Sequence, residues 1–300
     1  MTDATPHTPF AGRTVAITGG AGDIGLATAR HLGSLGATIA LIDLYAGKLE
    51  AARAQLESEG VATHAWRCDV TDEAAVDATA EAIAERLGRV QHRFNNAGIL
   101  GPFHPLLDYP TEDFDAIQAV NVRGAFLVLR AFARDMAARG GGSIVNMASM
   151  AATGGPPNMI AYATSKAAVL GMTQTASKDL APHGIRVNAV SPAYMGPGFM
   201  WTRQVELQAA AGSPYFATDP AVVAEQMIGS VPMRRYGGME EIPGAVAFLL
   251  GDGASYITGI NVPNAGGILK ARGPLGRPGR TETMRAANDP GGRPGPTPRL

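Results

Sequence analysis

From residue 13 onward, short runs of β-branched and apolar residues alternate with longer stretches whose apolar positions recur every three or four residues. The short runs predict strands at Arg13–Thr18, Ala37–Ile42, Val61–Cys68, Val90–Phe94, 143–148, Ile185–Val190 and Ile257–Val262. The longer stretches predict helices over Gly22–Leu35, 47–59, Asp72–Leu87, 111–138, 157–181 and 240–250, with Asp72 as an N-cap. The fourth strand is weak, because Gln91, His92 and Arg93 interrupt it; without its neighbours it reads as loop. Two further helical pieces, Trp201–Ala211 and Pro220–Gly229, lie between Met195 and Gly238.

This alternation predicts the α/β class: a single Rossmann-type doubly wound parallel sheet of about seven strands, helices on both faces, and ligands at the carboxyl ends of the strands. Residues 1–10 read as an N-terminal extension, 11–268 as one dinucleotide-binding catalytic domain, and 269–300 as a disordered tail. The segment 195–238, inserted after the sixth strand, falls over the crevice mouth and is a candidate substrate lid. No internal repeat is visible.

Composition narrows the picture. A chain of 300 residues, 46% hydrophobic and 17% charged, can bury a large core. The formal net charge of −1 conceals an asymmetry, since residues 270 to 300 carry seven Lys/Arg against Glu282 and Asp289 and leave the remainder mildly acidic. An acidic body argues against nucleic-acid binding, and the Gly/Pro-rich basic tail reads as a solvated extension. Cys68 is the one cysteine, which excludes an internal disulfide and fits a reducing, cytoplasmic setting; at a strand end it reads as a small buried hydrophobe. No signal-peptide pattern opens the chain, no apolar run reads as a membrane span, and no metal-ligand cluster appears.

Chemistry enters at two places. The first strand ends in Thr18-Gly-Gly-Ala-Gly-Asp-Ile-Gly25 and a helix follows. Glycines here let the backbone pass close to a pyrophosphate at a positive helix N-terminus, so Gly19, Gly22, Ile24 and Gly25 form a candidate phosphate turn. Asp23 stands where a small residue is expected; its placement without repulsion is as an N-cap turned from the phosphates. Asp43 ends the second strand 18 residues after Gly25 and suits the two hydroxyls of an adenine ribose, while Leu44, where a cation would welcome a 2′-phosphate, favours NAD over NADP. The second place is Tyr162-Ala-Thr-Ser-Lys166, a phenol and an ammonium one turn apart on one helix face. A fixed cation favours the phenolate and makes it a usable base. The spacing alone also fits an ordinary half-buried tyrosine beside a lysine. Ser149, 13 residues upstream at a strand end, and Asn121, at the head of an apolar helical stretch, keep it company.

Taken in order, the Gly turn at 18–25, Asp69-Val70, Asn95-Asn-Ala-Gly98, Asn121, Ser149, Tyr162 with Lys166, and Asn188-Ala-Val-Ser-Pro192 resemble the short-chain dehydrogenase/reductase family over residues 10 to 268. The resemblance implies that Asp69 and Val70 hold the adenine, that Asn95, Ala97 and Gly98 support the nicotinamide ribose side, and that Pro192 and Met195 meet the carboxamide. It implies Tyr162 as catalytic base and Ser149 as hydrogen-bond partner of the reacting oxygen. Lys166 lowers the tyrosine pKa and binds the ribose, and Asn121 orients a water that links Lys166 to solvent. Within the family, Gly155-Pro-Pro-Asn-Met159, the stretch Tyr194 to Gln208 and Ser230 to Tyr236 are similar to bacterial xylitol dehydrogenases, which implies a polyol/ketose substrate. Ala193, in place of the family's usual Gly, and Ala265, in place of Asp, depart from the pattern. Other polyols, an apolar or cyclic secondary alcohol, a 3-oxoacyl reductase and a non-catalytic NAD-binding scaffold stay open. Asn158, Gln204 and Glu206 are candidate hydroxyl partners, and a homotetramer is expected by resemblance.

Overall fold

A computed structural model describes residues 8–268. Seven strands form one parallel sheet: β1 (Thr14–Thr18), β2 (Thr38–Asp43), β3 (Thr63–Arg67), β4 (Val90–Asn95), β5 (Gly142–Met147), β6 (Ile185–Pro192) and β7 (Asn261–Asn264). Their spatial order is β3-β2-β1-β4-β5-β6-β7, so the chain reverses direction across the sheet between β1 and β4. That switch point opens a crevice at the carboxyl ends of the strands. Side chains alternate between faces. In β1, Val15 and Ile17 enter one apolar layer with Leu32, Leu56 and Leu250, while Ala16 enters the other with Ile83, Phe132 and Met136.

The first layer is covered by α1 (Asp23–Ser34), α2 (Ala46–Ser58) and α10 (Pro243–Leu250), the second by α3 (Glu73–Leu87) and α5 (Ala125–Ala138). Further helical pieces are α4 (Thr111–Gln118), α6 (Ala151–Gly154), α7 (Ile160–Leu180), α8 (Phe199–Ala210) and α9 (Pro220–Gly229). Asp72 caps α3 as expected, its side chain accepting the Ala75 N–H at 3.1 Å. Phe10 belongs to the body and not to an extension: it is 2% exposed and meets the His92 ring edge-on at 5.2 Å. Residues 1–7 and the expected tail at 269–300 lie outside the described residues.

Several boundaries differ from the sequence reading. β4 is a central strand, because His92 and Arg93 are both buried. His92 finds partners: its Nδ1 meets Ser143 Oγ at 2.8 Å, and Ser143 in turn donates to the Leu250 carbonyl at 2.6 Å. Arg93 finds none among the described residues, and all three guanidinium nitrogens lie buried without a hydrogen-bond partner there, over the Phe132 ring at 4.3 Å. The last strand begins four residues later than expected. Gly259, with φ at +78°, turns the chain there, and Ile257–Ile260 bond to β6 in an irregular pattern. α7 starts at Ile160, since Asn158 adopts a left-handed φ of +68° that a helix cannot include, and Gly155 closes α6 in a left-handed conformation.

The helix expected over 111–138 is continuous but carries a π-helical turn at Ala119–Gly124. Contrary to the sequence reading, this column is long and apolar enough to cross a membrane. Its apolarity has another cause: over half of its most apolar window is buried against the protein.

Candidate active site

One cavity of about 1080 Å³ runs along the carboxyl ends of the strands, from Asp43 at one end to the lid helices at the other. Gly19, Gly22, Asp23 and Ile24 line it at the head of α1. Gly22 is the N-cap and offers no side-chain acceptor, so the backbone N–H groups of the first turn face the cavity uncapped. Gly25 lies behind this wall, where a Cβ would collide with the Gly19 carbonyl; Gly19 itself has φ at +62°. The cradle therefore fits a phosphate group in both shape and charge. Asp23 is not the cap. It is the first helical residue, and its carboxylate points at Gly198 in the lid, where a Cβ would sit 2.8 Å from Oδ2.

Asp43 accepts the N–H groups of Ala21 and Tyr45, at 3.1 and 3.3 Å, one on each oxygen. Both oxygens retain capacity for ribose hydroxyls. Leu44, Asp69 and Val70 line the same end. The structure adds a cation that sequence reasoning passed over: Lys48, in the first turn of α2, lines this wall with Nζ 5.5 Å from the Tyr45 ring centroid. Cys68 is buried and free, and burial pushes its thiol above the ordinary value, as an inert strand-end residue should show.

Ala97 and Gly98 line the middle of the cavity, with Pro192 and Met195 opposite. Asn95 stands behind that wall, its amide donating to the Ala125 carbonyl and to Asn146. Asn96, which the sequence reading left aside, faces the cavity and pins Thr18 and Gly19 through their carbonyls.

Ser149, Tyr162 and Lys166 come together beyond Ala97 and Gly98. α7 presents Tyr162 and Lys166 one turn apart, with Nζ 5.6 Å from the phenol ring centroid. Lys166 is 4% exposed and donates to the Met147 carbonyl at 2.9 Å, which anchors it at the end of β5. Burial lowers its pKa to about 8. Burial also holds the Tyr162 phenol above its ordinary value, with Ser149 pulling the other way by hydrogen bonding. Burial thus works against the lowering expected from Lys166. In a low-dielectric pocket both charged forms are penalised, the phenolate and the ammonium alike.

Asn121 sits at the π turn, 1% exposed. Its Oδ1 accepts the Ile99 N–H at 2.8 Å, and its Nδ2 donates to the Ile99 carbonyl and to Ser165 Oγ. The side chain thus ties the π turn to the loop after β4 and to α7.

The lid is a small folded unit. Val205, Ala209, Val223 and Met227 form its centre, and Trp201 packs between Tyr194 and Tyr236 at 6.0 and 5.4 Å. Its two ends are tied by backbone bonds between Tyr194, Gly196 and Gly237. Phe199, Met200 and Gln204 line the cavity, whereas Glu206 is exposed to solvent and plays no part in it. Gln208, not among the candidate hydroxyl partners, is 2% exposed and lines the cavity one turn beyond Gln204. Its position at i+4 from Gln204 was the available signal.

A switch-point crevice with a phosphate cradle at one end and a phenol, a hydroxyl and an ammonium at the other is the site of a dinucleotide-dependent oxidoreductase. The family model described as enoyl-(acyl carrier protein) reductase matches residues 19–268. A solved structure of NAD⁺-bound xylitol dehydrogenase is 56% identical, with a TM-score of 0.85 over 86% of this chain and 99% of that one. Levodione reductase of Leifsonia aquatica is 38% identical over 88% of this chain and 97% of its own length. D-threitol dehydrogenase of Mycolicibacterium smegmatis is 34% identical over 85% and 92%. The chain belongs to the short-chain dehydrogenase/reductase family.

Proposed function

We propose that the protein oxidises a secondary hydroxyl of a polyol, a pentitol such as xylitol, to the ketose, with NAD as coenzyme. The observation that carries the reading is the convergence of Ser149, Tyr162 and Lys166 in one cavity with the phosphate cradle and Asp43. When bound there, NAD supplies a hydride acceptor; the chain's own residues supply the rest. The N-terminus of α1 and Asp43 would hold the pyrophosphate and adenine ribose. Ser149 hydrogen-bonds the reacting oxygen, and Tyr162 takes its proton. Lys166 keeps positive charge beside the phenol and near Gly98, where the ribose side of the coenzyme is expected.

The 56% identity to the xylitol dehydrogenase structure supports the pentitol as substrate. A homotetramer belongs to the same reading, supported by the exposure of Phe126, Phe248 and Tyr256 outside the cavity. One observation favours a second substrate class. Met150, Met159, Met200 and Met227 line the cavity, an adaptable apolar surface that suits a cyclic secondary alcohol.

The test is NADH formation by the purified protein over xylitol, sorbitol, other pentitols and a cyclic alcohol. A pentitol with the highest kcat/KM supports the reading; a cyclic alcohol far ahead of every polyol overturns it. Tyr162→Phe should abolish turnover while NADH still binds. A variant that keeps more than about a tenth of the wild-type rate contradicts the base assignment.

A further inference from the structure

We infer that Gln208, held in place by Asn158, reads a substrate hydroxyl beyond the reacting carbon and thereby selects polyols over alcohols that present bare hydrocarbon there. The inference rests on the polyol reading above and assigns it a residue.

Gln208 projects from α8 into the cavity that holds Ser149 and Tyr162, yet it is 2% exposed and sits beside Val205 and Ala209 of the lid centre. A primary amide offers two donors and two acceptor lone pairs. The protein engages half of that capacity. Asn158 Nδ2 donates to Gln208 Oε1 at 2.9 Å, and Gln208 Nε2 donates to the Pro157 carbonyl at 3.2 Å. The Pro157 carbonyl can only accept, so it fixes which end of the Gln208 amide is nitrogen. The remaining end must then be oxygen, and Asn158 must present its NH₂ group.

Asn158 is itself held. Its φ is +68°, in the left-handed region that asparagine tolerates, and its carbonyl accepts the His104 N–H at 3.0 Å. Leu207 and Ala211 on the lid side pack with Met159, Leu100, Phe103 and Tyr162, so α8 and the start of α7 form one wall. Gln208 is therefore a pre-oriented amide with one N–H and one lone pair left for whatever enters the cavity. A buried polar group half satisfied by protein is best completed by a ligand that donates and accepts, as a hydroxyl does. Hydrocarbon placed against it leaves those groups unpaired, and sites of this kind discriminate strongly against analogues that lack the polar group. Gln204, one turn earlier on the same face, extends the polar strip along the cavity. Asn158 acts through Gln208 and is a positioning residue.

The experiment compares wild type, Gln208→Leu, Gln208→Met and Asn158→Gly on xylitol and on a cyclic alcohol without other hydroxyls. The glycine keeps the left-handed backbone while removing the amide. The expected result is a rise of about tenfold or more in KM for xylitol in both Gln208 variants, with kcat and NADH binding within about threefold of wild type. The cyclic alcohol should lose nothing or improve. Asn158→Gly should shift the xylitol KM in the same direction by less. Thermal melts and NADH binding identify a misfolded variant, and the methionine, similar in length and flexibility to glutamine, keeps the assignment testable if leucine fails to fold. An unchanged xylitol KM, or an equal loss on both alcohols, overturns the assignment. Absence of any pentitol turnover by the wild-type enzyme overturns the polyol reading instead.

Discussion

Asp43 and Ala21 are joined by a hydrogen bond of 3.1 Å from the Ala21 N–H to the carboxylate, which ties the end of β2 to the turn that leads into α1. The same acid faces the adenosine end of the cavity, with Lys48 on the same wall. If Asp43 reads the ribose, coenzyme choice turns on that anion against the nearby cations, Lys48 on the cavity wall and Arg67, whose Nε donates to the Leu44 carbonyl at 3.2 Å. Asp43→Ala removes the anion and leaves Lys48 and Arg67 to meet a 2′-phosphate. The expected outcome is a KM for NAD raised about tenfold and measurable turnover with NADP. Initial rates with both coenzymes check it; an unchanged preference ratio would show that Asp43 does not read the ribose.

Burial holds the Tyr162 phenol above its ordinary range, so its base form is scarce at neutral pH. Alcohol oxidation should speed up with pH, kcat/KM climbing by up to about tenfold per unit between roughly pH 6 and 8. The climb should flatten as Lys166, at about 8, sheds the proton that favours the phenolate. A pH profile of the wild-type enzyme measures this. A flat profile across that window is incompatible with a buried phenol as base.

At the opposite end of the sheet, His92 is held neutral. Burial first, and then the Arg13 guanidinium, lower its pKa to about 3. Ser143 donates to the Leu250 carbonyl, so His92 Nδ1 carries the hydrogen donated to Ser143, and Nε2 is left to face Arg13 at 3.4 Å. In the unfolded chain the ring takes up its proton near pH 6.5, and in the folded protein only near 3. Over that interval the unfolded state binds more protons, so stability falls as pH drops, by up to about 1.4 kcal/mol per unit from this residue. His92→Gln should flatten the decline. Denaturant melts of both proteins at several acidic pH values decide it, and parallel decline in the two would refute it.

Arg93 is fully buried, and its guanidinium has no hydrogen-bond partner among the described residues. Burial lowers its pKa to about 9, so it still carries charge at neutral pH, stacked on Phe132 alone. Replacing an uncompensated buried ion by an apolar side chain of similar length removes the desolvation cost. Arg93→Met is expected to raise stability by about 1–4 kcal/mol without changing kcat/KM. A lower midpoint in chemical denaturation would mean that the guanidinium serves a purpose in the core.

Sequence periodicity located most elements because each strand needs a continuous apolar run and each helix an apolar stripe. It faltered where a local conformation overrides the pattern. Gly259 delays β7, the left-handed Asn158 delays α7, and Ala119–Gly124 winds as a π turn inside an unbroken apolar column. β4 was nearly lost because two residues normally found at surfaces are buried in it.

For the site, spacing put Tyr162 and Lys166 on one helix face, and the ordered motifs, through the family resemblance, singled out Ser149, the glycine turn and Asp43 beside them. Spacing said nothing about the medium around them. Only the assembled fold decides that Tyr162 and Lys166 both lose water, that the Asn121 side chain binds Ile99 and Ser165, and that Asp23 turns toward the lid. It also decides that Gln208, 46 residues beyond Tyr162 in the chain, enters the same cavity. Those outcomes depend on contacts between distant segments, and dielectric surroundings and amide partners come into being only when those segments pack.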